Sequence, residues 1–210
     1  IPEEVFQLLP GAGDVGQMIV TDPRIAGVAF TGSTTTAQAI NRALAAREGP
    51  IATFIAETGG QNAMIVDSSA LPEQVTRDVV ASAFQSAGQR CSALRVLYIQ
   101  DDVYDEMLGM IRGAFEALEV GDPADLATDV GPVIDPDAKA ALERHVARRK
   151  KAGRTVWRRK LSRGLTSGCF VAPTIIEMGS ILDLKRENFG PVLHVVRFAA
   201  GELGKVVDDI

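Results

Sequence analysis

The chain has 210 residues, 46% of them hydrophobic, which is enough to bury the core of one large or two small domains. Its net charge of −5 argues against a nucleic-acid-binding or membrane-surface protein, because such partners select for basic patches. Two cysteines are too few for a disulfide framework, no apolar run approaches a membrane span, and nothing at the start resembles a signal peptide. We therefore expect a cytoplasmic protein.

The two ends of the sequence resemble interior segments of a longer protein. Ile1-Pro2 leads directly into a strand-like stretch at residues 5–9, without an initiator methionine. At the other end, residues 206–210 stop within a helical pattern. We therefore expect the chain to be a piece of a longer protein.

The first 57 residues alternate between strand and helix patterns, which predicts parallel strands joined by crossover helices. After the predicted strand at residues 5–9, the loop from Gly11 to Gly16 reads G-x-G-x-x-G, a pattern that lets a pyrophosphate approach backbone amides at a helix start. The full fingerprint also requires an acidic residue about 20 positions later, at the end of the next strand. Here that strand, residues 27–30, leads into Thr31 instead, so we favour an ordinary turn.

The turn Thr31-Gly32-Ser33 is the better candidate for a phosphate site. It joins the predicted strand at residues 27–30 to a helix that begins near Thr34. A helix N-terminus offers unpaired amides and a favourable dipole to an anion. A plain Ser/Thr helix cap is the alternative.

Glu57 follows the predicted strand at residues 51–56. A carboxylate at the carboxyl end of a strand faces the crevice where ligands bind in open α/β sheets, although a solvated loop acid is the alternative. Gly59-Gly60 marks a turn, and we place a domain boundary here. The boundary divides the chain into residues 1–58 and 59–210.

The second unit also alternates between strand and helix patterns. Its predicted strands cover residues 63–66, 95–100, 171–176 and 192–198, and its predicted helices end at Gly88, span 102–118 and begin at Asp135-Pro136.

Cys91 lies in the connection between the helix that ends at Gly88 and the strand at residues 95–100. Catalytic residues are often found in such loops, so the Cys91 thiol is a candidate nucleophile. The alternative is that Cys91 is a small buried hydrophobic residue. Cys169 lies beside Phe170 and is expected to be packed rather than reactive.

Nine of the 22 basic residues lie within residues 148–163. We favour a solvated helix face and hairpin over a nucleic-acid site, because Trp157 is the one aromatic residue in this run. His145 and His194 lack partners at metal-ligand spacing, so no metal site is expected.

Three motifs follow one another along the chain: Glu57-Thr58-Gly59-Gly60, then Gly88-Gln89-Arg90-Cys91, then Glu-Asn-Phe-Gly-Pro-Val at residues 187–192. In sequence and order they resemble the aldehyde dehydrogenase superfamily, and the likeness runs through nearly the whole chain. More narrowly, residues 56–67, 86–94 and 190–197 resemble the glutamate-semialdehyde (1-pyrroline-5-carboxylate) dehydrogenase part of bifunctional proline utilisation A.

This resemblance implies an α/β fold of the aldehyde dehydrogenase type. Residues 1–58 would form the C-terminal part of a Rossmann-type NAD-binding domain. Residues 59–210 would form the catalytic α/β domain, truncated at its C-terminal end.

The resemblance also assigns roles to individual residues. It makes Cys91 the nucleophile, Glu57 the base that activates water, and Ser92 a residue that lines the aldehyde pocket, with a plain polar loop residue as the alternative for Ser92. The implied cofactor-binding residues are Thr31, Gly32, Ser33, Thr58, Gly59, Glu187 and Phe189. Many members have Glu and Gly where this chain has Thr35 and Ala37, so the helix start departs from the family pattern. Without the family, Glu187 reads as a loop acid and Phe189 as a core aromatic.

The implied activity is the NAD-dependent oxidation of L-glutamate 5-semialdehyde to L-glutamate, the second step of proline catabolism, through a thiohemiacetal and a thioester on cysteine. A flavin-containing proline dehydrogenase domain on the same parent chain is also implied, and a homo-oligomer is compatible with the family. Another aldehyde dehydrogenase activity, the use of NADP, or an inert folding or interaction domain stay open. We expect the chain alone to bind NAD weakly, because residues 5–57 supply only about three predicted strands and a dinucleotide crevice needs strands on both sides of the switch point. We also expect it not to turn over, because the family's adenosine-ribose residues and second oxyanion donor would lie before Ile1 and its substrate-carboxylate loop after Ile210.

Overall fold

The computed structural model describes residues 2–165 and 167–210, and within it the chain forms two compact units, Ile1–Gly59 and Gly60–Ile210. The helices and strands of the first unit are α1 (Gly13–Thr21), β1 (Gly27–Gly32), α2 (Thr34–Ala45) and β2 (Thr53–Thr58). β1 and β2 pair in parallel, and α2 forms the crossover between them. The predicted alternation of strand and helix is confirmed from α1 onward.

The predicted strand at residues 5–9 is wrong. Glu3–Val5 form a 3-10 turn, and the following residues are irregular, with Phe6 and Leu8 82% and 83% exposed. A strand persists only when a neighbour pairs with its backbone donors and acceptors, and no described residue pairs with this stretch. The loop from Gly11 to Gly16 therefore lacks the preceding strand that the dinucleotide fingerprint requires.

The second unit is built on a five-stranded sheet with the order β3-β4-β7-β6-β5. All neighbours are parallel except β5, which pairs antiparallel with β6. The strands are β3 (Ala63–Val66), β4 (Val96–Gln100), β5 (Val156–Arg158), β6 (Thr174–Met178) and β7 (Val192–Phe198). The helices are α3 (Pro72–Phe84), α4 (Tyr104–Glu116), α5 (Pro136–Lys151) and α6 (Leu203–Asp209).

The core of the second unit lies around β4 and β7. Every residue of β4 is buried, as expected for a strand that has a neighbour on each side and helices over it. α3 and α4 pack against each other, and the rings of Phe84 and Phe115 lie 5.4 Å apart in a tilted arrangement. The connection that carries Cys91 therefore joins two well-packed elements.

Several predicted boundaries are confirmed and others shift. α5 begins at Pro136, and Asp135 caps it, because its Oδ1 accepts a hydrogen bond of 2.7 Å from the Ala138 amide. β2 begins two residues later than predicted, so Glu57 lies inside the strand, one position before its end. β6 likewise begins at Thr174 rather than at residue 171. Within the described residues, no helix is both long and apolar enough to cross a membrane.

The helix before Cys91 ends four residues earlier than Gly88, where the sequence predicts its end. Ser86, Ala87 and Gly88 have φ values of 54°, 52° and 64°, so three consecutive residues adopt the left-handed conformation. A non-glycine residue in this conformation costs about 1–2 kcal/mol. At Gly88 a side chain is also excluded sterically, because an added Cβ would lie 2.3 Å from the Gly190 carbonyl oxygen.

We expect Gly88→Ala to lower the free energy of unfolding by about 3 kcal/mol or more, because it adds a backbone clash to left-handed strain. The matched control is Gly153→Ala, where φ is +76° and no atom lies within 4 Å of an added Cβ. The control should lose only the left-handed term of about 1–2 kcal/mol. Urea denaturation measures both variants, and equal losses would contradict the close approach of Gly88 to Gly190.

Candidate active site

Cys91 is exposed in the turn that follows the left-handed residues, and Cys169 is half-buried against the core. The alternative that Cys91 is a buried hydrophobe is therefore wrong. Within the described part of the chain, the Cys91 backbone amide donates to no acceptor. The thiol is thus open to a reagent, and a free N–H group lies on the same residue.

Asn62 anchors the segment that follows Cys91. Its Nδ2 atom donates to the carbonyl oxygens of Cys91 and Ala93 at 2.6 and 3.0 Å. The backbone carbonyl oxygen of Asn62 accepts from the backbone amides of Arg95 and Val96 at 3.0 and 3.1 Å. Asn62 immediately precedes β3, so the turn is attached to the edge of the sheet.

Gln89 fixes the turn on another side. Its Oε1 atom accepts from the Ile134 amide at 2.8 Å, and its Nε2 atom donates to the Pro132 carbonyl at 3.2 Å. The side chain therefore satisfies a donor and an acceptor of one distant segment. This amide links the turn to the residues that precede α5.

Arg95 joins the cysteine turn to the third motif. Its side chain is 1% exposed, and its Nη1 and Nη2 atoms donate to the carbonyls of Gly88 and Arg90 at 2.6 and 3.2 Å. Its Nε and Nη2 atoms both donate to Oε1 of Glu187, at 3.0 and 2.9 Å. Burial lowers the pKa of the Arg95 guanidinium below its ordinary value, and the Glu187 carboxylate opposes that shift.

Glu187 and Phe189 lie beside a cavity of 220 Å³. Glu187 is half-buried and ion-paired, so it is not a free loop acid, and its Oε2 atom makes no hydrogen bond with described residues. Phe189 is 42% exposed, so it is not a core aromatic, and its ring centroid lies 5.1 Å from the Arg95 guanidinium. Ala138, Ala141 and Leu142 of α5 also line the cavity.

In the first unit, the predicted site residues gather at the carboxyl ends of the two strands. Thr31 pairs with Glu57 and Gly32 with Thr58 in the parallel register, and Gly59 follows directly. Thr31, Gly32 and Glu57 are exposed, as ligand-binding strand ends in open α/β sheets are. Cys91, Ser92, Glu187 and Phe189 belong to the second unit.

Ser33 caps α2, since its Oγ accepts from the Thr36 amide at 3.1 Å. The helix-cap alternative is therefore confirmed for Ser33, and the phosphate site stays a prediction. The amides of Thr34 and Thr35 make no hydrogen bond within the described residues, so the helix start keeps two donors for an anion.

A cavity of 690 Å³ lies next to this helix start, between α1, β1 and α2. Most of its lining is apolar, and Gly13, Gly16 and Thr36 also contribute. A flat apolar group fits such a cleft better than a charged one.

Comparison with known proteins places these motifs in a family. The model of the family described as "Aldehyde dehydrogenase family" matches residues 1–203. The chain belongs to this family. The α/β aldehyde dehydrogenase fold expected from the three motifs is thereby confirmed.

Relatives within the aldehyde dehydrogenase family include bifunctional enzymes. The chain is 52% identical to the bifunctional protein PutA of Klebsiella aerogenes, over 100% of this chain and 17% of that protein. It is 36% identical to a 1-pyrroline-5-carboxylate dehydrogenase of a Geobacillus species, over 92% of this chain and 38% of that protein. The crystal structure of the Bradyrhizobium japonicum proline utilization A mutant D779W superposes with a TM-score of 0.95 at 52% identity, covering 100% of this chain and 21% of that one.

The sequence did not point to Arg95, Asn62 or Gln89 as parts of this candidate site. For Arg95 a signal existed, because a charged residue opens a predicted strand whose next four residues are hydrophobic, and a buried charge requires partners. The local sequence around Asn62 and Gln89 gives no comparable indication of their side-chain contacts. Among the described residues, no group of three His, Cys, Asp or Glu side chains is arranged to hold a metal ion.

Two buried histidines lie behind Arg95. The Nε2 atoms of His145 and His194 are 2.8 Å apart, and Nδ1 of His194 lies 3.0 Å from the Arg95 carbonyl oxygen. Since a carbonyl only accepts, Nδ1 of His194 donates, which leaves its Nε2 to accept from Nε2–H of His145. Burial is the largest cause that lowers the pKa of His145 to about 4 and that of His194 to about 3.

We expect Arg95→Lys to lower the free energy of unfolding by about 3–5 kcal/mol, because lysine cannot reach two carbonyls and a carboxylate at once. The matched control is Arg197→Lys, since Arg197 also lies over an aromatic ring and pairs with a carboxylate, Asp105, but at an exposed position. The control should lose less than about 1 kcal/mol. Urea denaturation of the two variants decides the matter, and losses of similar size would contradict the role assigned to Arg95.

We expect both histidines to stay neutral from pH 8 down to about pH 5. Their pKa values are lower in the folded chain than the ordinary value near 6.5, so the unfolded chain binds protons first. Their contribution to stability is complete above about pH 6.5 and is lost as the pH falls through about 4 and 3. The chain contains two histidines, so their imidazole NMR signals are easily assigned, and a titration near pH 6.5 in either signal would rule out the neutral pair.

Proposed function

We propose that this chain carries the nucleophile and the general base of an NAD-dependent aldehyde dehydrogenase that oxidises L-glutamate 5-semialdehyde to L-glutamate. The observation that carries the proposal is the Arg95 side chain, which holds the turn of an exposed cysteine and the carboxylate of Glu187 together. The substrate assignment is supported by similarity to a 1-pyrroline-5-carboxylate dehydrogenase, because 1-pyrroline-5-carboxylate is the cyclic form of this aldehyde.

In the proposed reaction, the Cys91 thiolate attacks the aldehyde carbon. A C–S bond forms, and the electron pair of the C=O π bond moves to oxygen, which gives a thiohemiacetal anion. The free backbone amide of Cys91 donates a hydrogen bond to that oxygen. Ser92, which is exposed beside the thiol, lines the space for the aldehyde.

Each unit offers groups that suit one part of a dinucleotide. The free amides of Thr34 and Thr35, next to Ser33, match a pyrophosphate, and the 690 Å³ apolar cavity of the first unit matches an adenine ring. Oε2 of Glu187 is free to accept from a ribose hydroxyl while Oε1 stays on Arg95, and the exposed ring of Phe189 offers a packing surface. Within the first unit, Thr31 and Gly32 lie at the end of β1, Thr58 ends β2, and Gly59 follows it. When bound, NAD would supply the acceptor for the hydride that leaves the thiohemiacetal carbon.

Glu57 removes the proton from the water that breaks the thioester. Its carboxylate is exposed one residue before the end of β2, so it keeps the contact with water that a general base needs. The water oxygen bonds to the thioester carbon, the C–S bond breaks, and the thiolate of Cys91 is restored as the product carboxylate leaves.

We also propose that the parent protein carries a flavin-containing proline dehydrogenase domain and works in the cytoplasm. The support is the similarity to proteins named bifunctional PutA, of which the chain spans only 17%. Another aldehyde as substrate, or NADP as cofactor, is the second candidate within the same chemistry. A panel of aldehydes with both cofactors on the full-length protein distinguishes these activities.

In the full-length protein, Cys91→Ala should abolish the burst of NADH, whereas Glu57→Gln should keep the burst and lower the steady rate by about 10²–10⁴-fold. The reason is that Cys91 forms the thioester and Glu57 acts only when water removes it. Stopped-flow absorbance at the NADH band measures both phases, and Cys169→Ala serves as the thiol control with both phases retained. Loss of the burst in Glu57→Gln would show instead that Glu57 acts before the thioester forms.

A further inference from the structure

A basic cleft of 710 Å³ lies between the C-terminal half of α5 and residues 183–188. Four cationic side chains line it from these two segments: Arg148, Arg149, Lys185 and Arg186. The remaining lining comes from His145, Ala152, Asp183, Leu184 and Asn188. No part of the proposed reaction uses this cleft.

The positive charge of the cleft is not balanced by its own lining. Asp183 is the one acid in the lining, and its carboxylate pairs with Arg154, with Oδ2 and Nη2 3.1 Å apart. Its backbone carbonyl accepts from Nη2 of Arg149 at 2.7 Å. Within the described chain, Arg148, Lys185 and Arg186 pair with no carboxylate, although the whole chain has a net charge of −5.

The pKa values of His145 and Arg149 reflect this excess of positive charge. Burial is the largest cause that lowers the pKa of His145, and Arg149, Arg148 and Arg186 lower it further. Burial likewise lowers the pKa of Arg149, Asp183 opposes the shift, and Arg154 and Arg148 add to it. Like charges that converge from two segments favour an anion between them.

We propose that this cleft binds an anion with two linked phosphate groups. Arginine presents a planar fork of donors that matches phosphate oxygens, and three of the four cations are arginines. A volume of 710 Å³ lies within the range of about 300–1,000 Å³ for small-molecule sites and exceeds what a single phosphate fills. The carbonyl of Asp183 already orients the guanidinium of Arg149, which reduces the ordering that binding requires.

The cleft adjoins the cavity beside Glu187, because Arg186 and Asn188 line both spaces. The proposed function places the pyrophosphate of the dinucleotide at the amides of Thr34 and Thr35, so the linked phosphates in the cleft belong to a separate polyphosphate. NAD therefore serves as the comparison ligand in a competition experiment.

The test is titration calorimetry of the 210-residue chain with sodium pyrophosphate at low ionic strength. The triple variant Arg148→Gln/Lys185→Gln/Arg186→Gln should weaken binding by at least about tenfold, because it removes three of the four cleft cations. The matched control is Arg144→Gln/Lys150→Gln/Lys151→Gln, which removes the same charge from exposed positions on α5 outside the cleft lining. The control should weaken binding by less than about threefold. Equal weakening in both triple variants, or no binding to the parent chain, overturns the proposal.

A second readout locates the anion and identifies its source. Pyrophosphate in the cleft neutralises Arg148, Arg149 and Arg186, so the His145 imidazole signal should shift and its pKa should rise. An unchanged His145 signal at saturating pyrophosphate overturns the location. Independent binding of NAD and pyrophosphate supports a separate polyphosphate, whereas displacement of pyrophosphate by saturating NAD overturns it. These arms require no turnover, so an inactive Cys91 would leave their outcome unchanged.

Discussion

The hydrogen bonds of the buried Arg95 guanidinium hold the candidate functional segments of the second unit together. A charge that is removed from water is tolerated only when its donors find acceptors, and here these are the carbonyls of Gly88 and Arg90 and the carboxylate of Glu187. The acceptors lie in the motif that ends at Cys91 and in the third motif. One side chain therefore sets the geometry of two segments that are far apart in sequence.

Backbone strain accompanies this arrangement. Ser86 and Ala87 hold left-handed φ values that non-glycine residues avoid, and such strain persists only where surrounding contacts over-determine it. Those contacts are the side-chain amide of Gln89 bound to Pro132 and Ile134, the side-chain amide of Asn62 bound to the carbonyls of Cys91 and Ala93, and the hydrogen bonds of Arg95. The turn connects α3 to the buried strand β4, so the exposed cysteine lies between two rigidly packed elements.

The sequence was a good guide where the signal is local. Periodicity located β7 to the residue, and the Asp135-Pro136 pair located the start of α5, because caps and side-chain alternation act over a few residues. It failed where a partner decides the outcome: residues 5–9 have strand composition but nothing to pair with. The motifs proposed Cys91 and Glu187 as site residues, but they did not reveal Arg95, which links the segment before Cys91 to Glu187. That contact spans 92 positions of sequence, which no local pattern encodes.

The two carboxylate oxygens of Glu187 differ in their contacts. Both contacts with Arg95 use Oε1, and Oε2 makes no hydrogen bond with described residues. A ligand that binds to Oε2 can therefore arrive and depart without breaking the ion pair. Repeated ligand exchange at Oε2 would therefore not leave the buried Arg95 unpaired, so rapid exchange is compatible with a rigid ion pair on the same carboxylate.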